Sequence, residues 1–244
     1  MELTMKKIQL RNIGIIFFIV GILAGFLINT LAVWADFEAS LFQAAIPGDE
    51  GFAGLQCPIL MGKDQEGFIY ASVRNPSDKT IEPNIRVNIT EGSMLMMREL
   101  DEKVKVDPGE SVKLSWLIKG DDAAWDRFVA FRLYQFRSYP EPSRAASCGV
   151  YVVNLPRVDG TMLTIVLYGL SLFGMGFGIW AWKKTHQPLQ KATRDIFAAM
   201  IFLAVTITCG LAVNLFGLYL LGALFLIMAL LAVAVILAYL FSQV

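Results

Sequence analysis

From Ile13 to Trp34 the chain reads IGIIFFIVGILAGFLINTLAVW, twenty-two residues without a charge and with a single amide, Asn29. A helix needs about 20 mostly apolar residues to cross a bilayer, so this stretch predicts transmembrane helix 1 over 13–34. Lys6, Lys7 and Arg11 precede it as the basic region of a secretory signal would. A signal's apolar run is only about 7–15 residues, however, and Trp34 interrupts the small-residue pattern a peptidase needs, so a retained helix is expected.

Three more stretches satisfy the same criterion. Residues 161–182 and 196–214 predict helices 2 and 3, and residues 218–240, almost wholly Leu, Ala, Val and Ile, predict helix 4. The short turn Asn214–Gly217 makes the last two an antiparallel hairpin. The composition agrees, with 56% hydrophobic and 17% charged residues against about 45–50% and 25% in an ordinary soluble domain.

Orientation follows from where the charges lie. The flanks 1–12 and 183–195 hold seven basic residues (Lys6, Lys7, Arg11, Lys183, Lys184, Lys191, Arg194) against Glu2 and Asp195. Segment 35–160 holds the other 14 basic and 19 acidic residues. Basic short loops stay in the cytoplasm. The expectation is therefore a multi-pass protein of the inner (plasma) membrane, with both termini and the 183–195 loop cytoplasmic and residues 35–160 extracytoplasmic. The formal charge of zero gives no reason to expect nucleic acid as a partner.

Within 35–160 the apolar period changes to two. Ile69, Ala71 and Val73 alternate with Phe68, Tyr70 and Ser72, and Ile85, Val87 and Ile89 alternate with Arg86, Asn88 and Thr90. The same holds around Val112–Leu117 and Val129–Tyr134; a further run is Cys148–Leu155, with shorter candidates at 93–100 and 103–106. Turn signals separate them, including Asn75-Pro76-Ser77-Asp78 and Asp107-Pro108-Gly109-Glu110. About seven short strands at this spacing predict an immunoglobulin-like β-sandwich. The expected fold class is thus a membrane α + β protein: four transmembrane helices, with the sandwich inserted between helices 1 and 2. Phe37–Ile46 reads as an interfacial amphipathic helix, as a continuation of helix 1 or as an extended linker.

Cys57 and Cys148 are the two cysteines outside the apolar segments, and both fall on the oxidising side in this topology, which predicts a disulfide. Cys209, within helix 3, reads as a packing residue.

Candidate chemistry is sparse. His186, the single histidine, lies in the basic loop, away from any extracytoplasmic serine or cysteine, so no nucleophilic triad is expected, and His186 reads as a solvated loop residue. Asp121, Asp122 and Asp126, and Asp101 with Glu102, lack the spacing of a calcium loop and read as solvated turns. Ser93-Met94-Leu95-Met96-Met97 could be core, an apolar partner surface with Met94 and Met96 on one strand face, or a thioether copper site; copper would want histidine or cysteine as well. No metal site, cofactor or enzymatic activity is expected.

The apolar helices carry no ionisable residue, which argues against an ion or proton path through this chain alone. They carry small-xxx-small pairs instead, Gly21 with Gly25 and Gly174 with Gly178, which suit close helix packing; Gly169 extends the second face, and Asn29, Thr206 and Thr208 offer interhelical hydrogen bonds. The function expected is a non-enzymatic membrane accessory or scaffold subunit whose outer domain binds a protein partner in the cell envelope. The alternatives are a permease-like subunit coupling a cytoplasmic ATPase to the outer domain, and an extracytoplasmic ligand or metal sensor.

Overall fold

A computed structural model describes residues 2–43, 48–93, 95–155, 157–187 and 191–242. Helix α1 spans Glu2–Gln43. Among the described residues nine strands follow: β1 Glu50–Gly51, β2 Leu55–Gln56, β3 Leu60–Gly62, β4 Glu66–Arg74, β5 Asn84–Thr90, β6 Met97–Lys103, β7 Ser111–Lys119, β8 Phe128–Gln135 and β9 Arg144–Val153. Then come α2 Gly160–Thr185, α3 Lys191–Leu215 and α4 Tyr219–Ser242. The protein is therefore α + β, and the four helices are each long and apolar enough to cross a membrane. That is compatible with a multi-pass membrane protein.

The chain divides into two compact units, residues 1–30 with 165–244, and residues 31–164. In the helical unit, α1 and α2 approach at their glycines. A methyl group on Gly21 would lie 2.6 Å from the Met175 nitrogen, and one on Gly174 would lie 2.6 Å from the Phe17 carbonyl oxygen. Ile28, Met175, Ile207 and Leu211 are buried, whereas Leu23, Leu27, Phe173, Leu220 and Leu231 are exposed. An outer surface of Leu and Phe suits lipid, where apolar side chains need no cover. The α3–α4 turn closes when Leu218 N–H and Phe216 N–H donate to Val213 O, with Gly217 at φ 72°, a conformation that favours glycine.

In the β unit one sheet runs β1-β9-β8-β5-β6, with β3 also paired to β9, and the other runs β2-β4-β7. β1 and β3 are parallel to β9; the remaining pairs are antiparallel. Ile69, Val73, Trp116 and Ile118 from one sheet and Ile85, Val87, Phe131 and Leu133 from the other are buried, and the Trp116 and Phe131 rings meet at 5.6 Å between centroids. The alternation in the sequence thus marks the side of each sheet that faces the other.

The 93–100 run is strand β6, which begins later, at Met97, and runs on to Lys103; residues 104–106 of the 103–106 run lie outside it, and Val106 makes only an isolated bridge to Ile81. β1, β2 and β3 had no sequence signal, being two or three residues long.

The run from Phe37 is a continuation of α1 as far as Gln43; residues 44–47 lie outside the described set. At 42 residues α1 is about 60 Å long, some twice the apolar thickness of a bilayer. Its last turns pack within the β unit. Ala32, Ala35 and Ala39 are buried, at helical spacing, and Ala35 clusters with Ala124, Phe128 and Tyr151. The tail covers the second face of β8 and β9, which explains why Ala130 and Val129 are both buried on consecutive positions of β8.

Candidate interaction surfaces

Cys57 and Cys148 form a disulfide across 91 residues, joining the segment before β3 to the middle of β9. Cys209 is free and partly buried in α3.

Three expectations about polar residues change. Asp122 is not a solvated turn residue. It is buried in a 3-10 turn at Gly120–Asp122, where its Oδ2 accepts from Lys119 N–H at 2.8 Å and from Arg98 Nη2 at 3.2 Å. Asp121, next to it, is exposed, and Asp126 pairs with Lys63 at 3.4 Å. Asp101 and Glu102 lie in β6 rather than in a turn. Across from Asp101, Arg86 donates to it at 2.9 Å and holds its carboxyl below the ordinary aspartate range. His186 is half-buried, its ring stacked on Trp182 at 4.1 Å and its Nδ1 3.1 Å from the Trp182 carbonyl oxygen. Among the described residues no three of His, Cys, Asp or Glu gather in a way that could hold a metal ion.

The helix glycines divide. Gly21, Gly25, Gly174 and Gly178 all stand against a neighbouring helix; a methyl on Gly178 would meet the Gly14 carbonyl oxygen at 2.8 Å, and one on Gly25 would collide with Ser171. A methyl on Gly169 would meet no described atom of a neighbouring helix within 4 Å, so Gly169 does not extend that face. Asn29 bridges helices, accepting from Asn214 Nδ2 at 2.8 Å and donating to Ile207 O at 3.4 Å. Thr206 bonds within its own helix, to Phe202 O.

Met94 lies outside the described residues. Met96 belongs to the loop before β6 rather than to a strand face, and it is exposed, which removes it from the core.

The structure adds two surfaces that the sequence reading did not single out. On the outward side of β4 and β7, Phe68 and Leu117 are register partners and the Phe68 and Tyr70 rings stand 6.3 Å apart. These three are 48%, 37% and 49% exposed, in that order. Their signal lay in the strand alternation itself, which puts large apolar residues where polar ones belong. The second surface is a cleft of about 360 Å³ near the β4 and β8 ends, lined by Glu50, Phe52, Arg74, Gln135 and Arg144 among others. Gln135 is 1% exposed, yet among the described residues neither amide atom has a hydrogen-bond partner. Arg144 is held by Glu50 at 3.2 Å and Glu141 at 2.8 Å.

No family model matches this chain, and no curated protein matches it. Among solved structures, the CARDB domain of a Pyrococcus furiosus protein is similar at 16% identity and a TM-score of 0.33, over 43% of this chain and 96% of that one. A β-glucosidase from Listeria innocua aligns at 15% identity and a TM-score of 0.29, over 41% of this chain. The sporulation control protein Spo0M from Bacillus subtilis aligns at 10% identity and a TM-score of 0.27, over 43% of this chain and 51% of that one. This chain spans only 15% of the length of the β-glucosidase.

Proposed function

We propose that this chain is a non-enzymatic, multi-pass subunit of the inner (plasma) membrane. Both termini are cytoplasmic, and an extracytoplasmic immunoglobulin-like sandwich binds a protein partner of the cell envelope. The observation that carries the reading is the Phe68, Tyr70 and Leu117 patch. It is a cluster of apolar and aromatic groups on the solvent side of a sheet, the composition that marks protein interfaces. Its backing is firm, because β4 and β7 pair over nine residues and the disulfide ties the domain together. The outer strand β6 suits strand addition poorly, since Arg98, Glu99, Asp101, Glu102 and Lys103 charge it.

The test is purification in mild detergent from native membranes, with mass spectrometry of what accompanies the protein. A partner present in stoichiometric amount, and lost when Phe68→Asp and Leu117→Asp are combined, supports the reading. A partner indifferent to both substitutions removes this face from the account. An ATPase that leaves when the 183–195 loop is charge-reversed would instead favour a permease-like coupling subunit.

The cleft at Gln135 favours a second reading, an extracytoplasmic sensor of a small polar ligand. A buried amide offers one donor group and one acceptor to a carboxamide or carboxylate. Calorimetric titration of the whole protein with small amides and carboxylates, repeated on Gln135→Leu, tests it.

A further inference from the structure

The two ends of the β unit differ in chemistry. Strand directions place the β3–β4, β5–β6 and β7–β8 connections at the end where β9 runs on into α2. The backbone confirms it: Val152 N–H donates to Arg127 O at 2.7 Å, and Gly92 N–H donates to Asp122 O at 3.4 Å. Gly160, the first residue of α2, abuts Met61, and Ala35 of α1 clusters with Ala124. The end of the domain that carries these loops is thus the end where both helices join it.

Large apolar side chains project there. Leu95 is 93% exposed, Met96 61%, Trp125 62% and Leu155 54%. Trp125 and Asp126 hold φ of 52° and 55°, a left-handed pair in the short β7–β8 connection that leaves the Trp125 ring outside the core. The opposite end is polar. Its turns are Asn75–Pro83, Asp107–Glu110 and Phe136–Ser143, and among the described residues Tyr139, which carries a hydroxyl, is the one large exposed hydrophobic on them.

We infer that the loop carrying Leu95 and Met96, together with Trp125 and Leu155, seats the domain on the outer leaflet of the bilayer that its own helices cross. The occupant is lipid because the patch lies at the end of the domain where two apolar helices join it, and because tryptophan favours the boundary between acyl chains and headgroups. The attachment is apolar. The basic Lys63, Arg127 and Arg157 at this end are outnumbered by Asp64, Glu91, Asp121, Asp126 and Asp159, so anionic lipid adds nothing to the attachment. The Phe68, Tyr70 and Leu117 patch is a separate face and keeps its own test. The inference rests on the membrane-spanning reading.

The experiment uses the full chain with Cys209→Ser, in phosphatidylcholine nanodiscs. An environment-sensitive fluorophore is placed in turn at Leu95→Cys, Trp125→Cys, Asp78→Cys on the polar end, and Leu23→Cys in the apolar part of α1. Nitroxide-labelled lipid is the quencher. The expected result is a blue shift and loss of most emission at 95 and 125, near that at 23, with emission at 78 unchanged. Anionic lipid leaves this pattern in place. Labels at 95 and 125 that behave like the one at 78, while 23 is quenched, overturn the docking and leave the spanning reading intact. An unquenched label at 23 overturns both.

Discussion

The Cα of Gly149 lies so close to the carbonyl oxygen of Ala35 that any side chain at 149 would fall on it. This contact lets the alanine stripe of α1 lie flat on β9. Gly149→Ala is expected to cost about 1–3 kcal/mol through overpacking, and Gly149→Val more. The thermal midpoint of the intact protein in nanodiscs should fall for both, in that order. An unchanged midpoint for Gly149→Val would show that the tail of α1 is not held against the sheet.

Asp122 holds Arg98 and the Lys119 N–H from a buried position. Asp122→Ala leaves the Lys119 N–H without its acceptor and Arg98 Nη2 with the Leu117 carbonyl oxygen alone, at an expected cost of about 1–3 kcal/mol. Asp121→Ala, one residue away and exposed, should cost less than about 0.5 kcal/mol. Denaturation of the two variants side by side is the check, and equal losses would count against the buried-acceptor role.

Joining positions 91 residues apart removes a long loop from the unfolded ensemble. Cys57→Ser with Cys148→Ala should lower stability by about 2–5 kcal/mol. The same variant should leave the helical unit's own melting transition in place. Reductant should shift the wild type toward the double variant and leave the variant where it was.

Asp49 accepts from the Ser143 hydroxyl at 2.7 Å and the Ser143 N–H at 3.2 Å, and Arg137 stands 3.5 Å away. These bonds hold its carboxyl below the ordinary value of 3.8. Because the folded value is depressed, the contribution is complete above 3.8 and is lost as pH falls through the lower folded value. Asp49→Asn should therefore be less stable than wild type near neutrality, and the gap should close in strong acid. A gap that stays constant with pH would refute the titration.

In the helical unit, Gly21→Val should force α1 away from Met175 and lower the detergent stability of the protein, whereas Gly169→Val, with open space around it, should change little. Equal tolerance at the two positions would mean that α1 and α2 do not pack through Gly21.

Much of the fold was legible because its signals are local. A run such as 13–34 needs no partner to be read as a span. The alternation at Ile69, Ala71 and Val73 follows from the period of a strand, whichever sheet it joins. The candidate sites were less legible. Asp121 and Asp122 are identical residues side by side, and Arg98, which distinguishes them, lies more than twenty residues away in sequence. Met96 read as strand or core because apolar runs usually are; its exposure depends on where the β5–β6 hairpin ends.

The sequence by itself determined four apolar helices, the β character of the segment between the first two and the pair of cysteines able to join, because apolar length, residue period and cysteine count act within short reach of each residue. Only the tertiary structure decided that α1 runs on to Gln43 as a cover for β8 and β9, that β1 and β3 pair in parallel with β9, and which loops share an end. Those outcomes depend on contacts between segments distant in the chain. Such contacts arise from close packing, as at Ala35 and Gly149, and packing has no period to read.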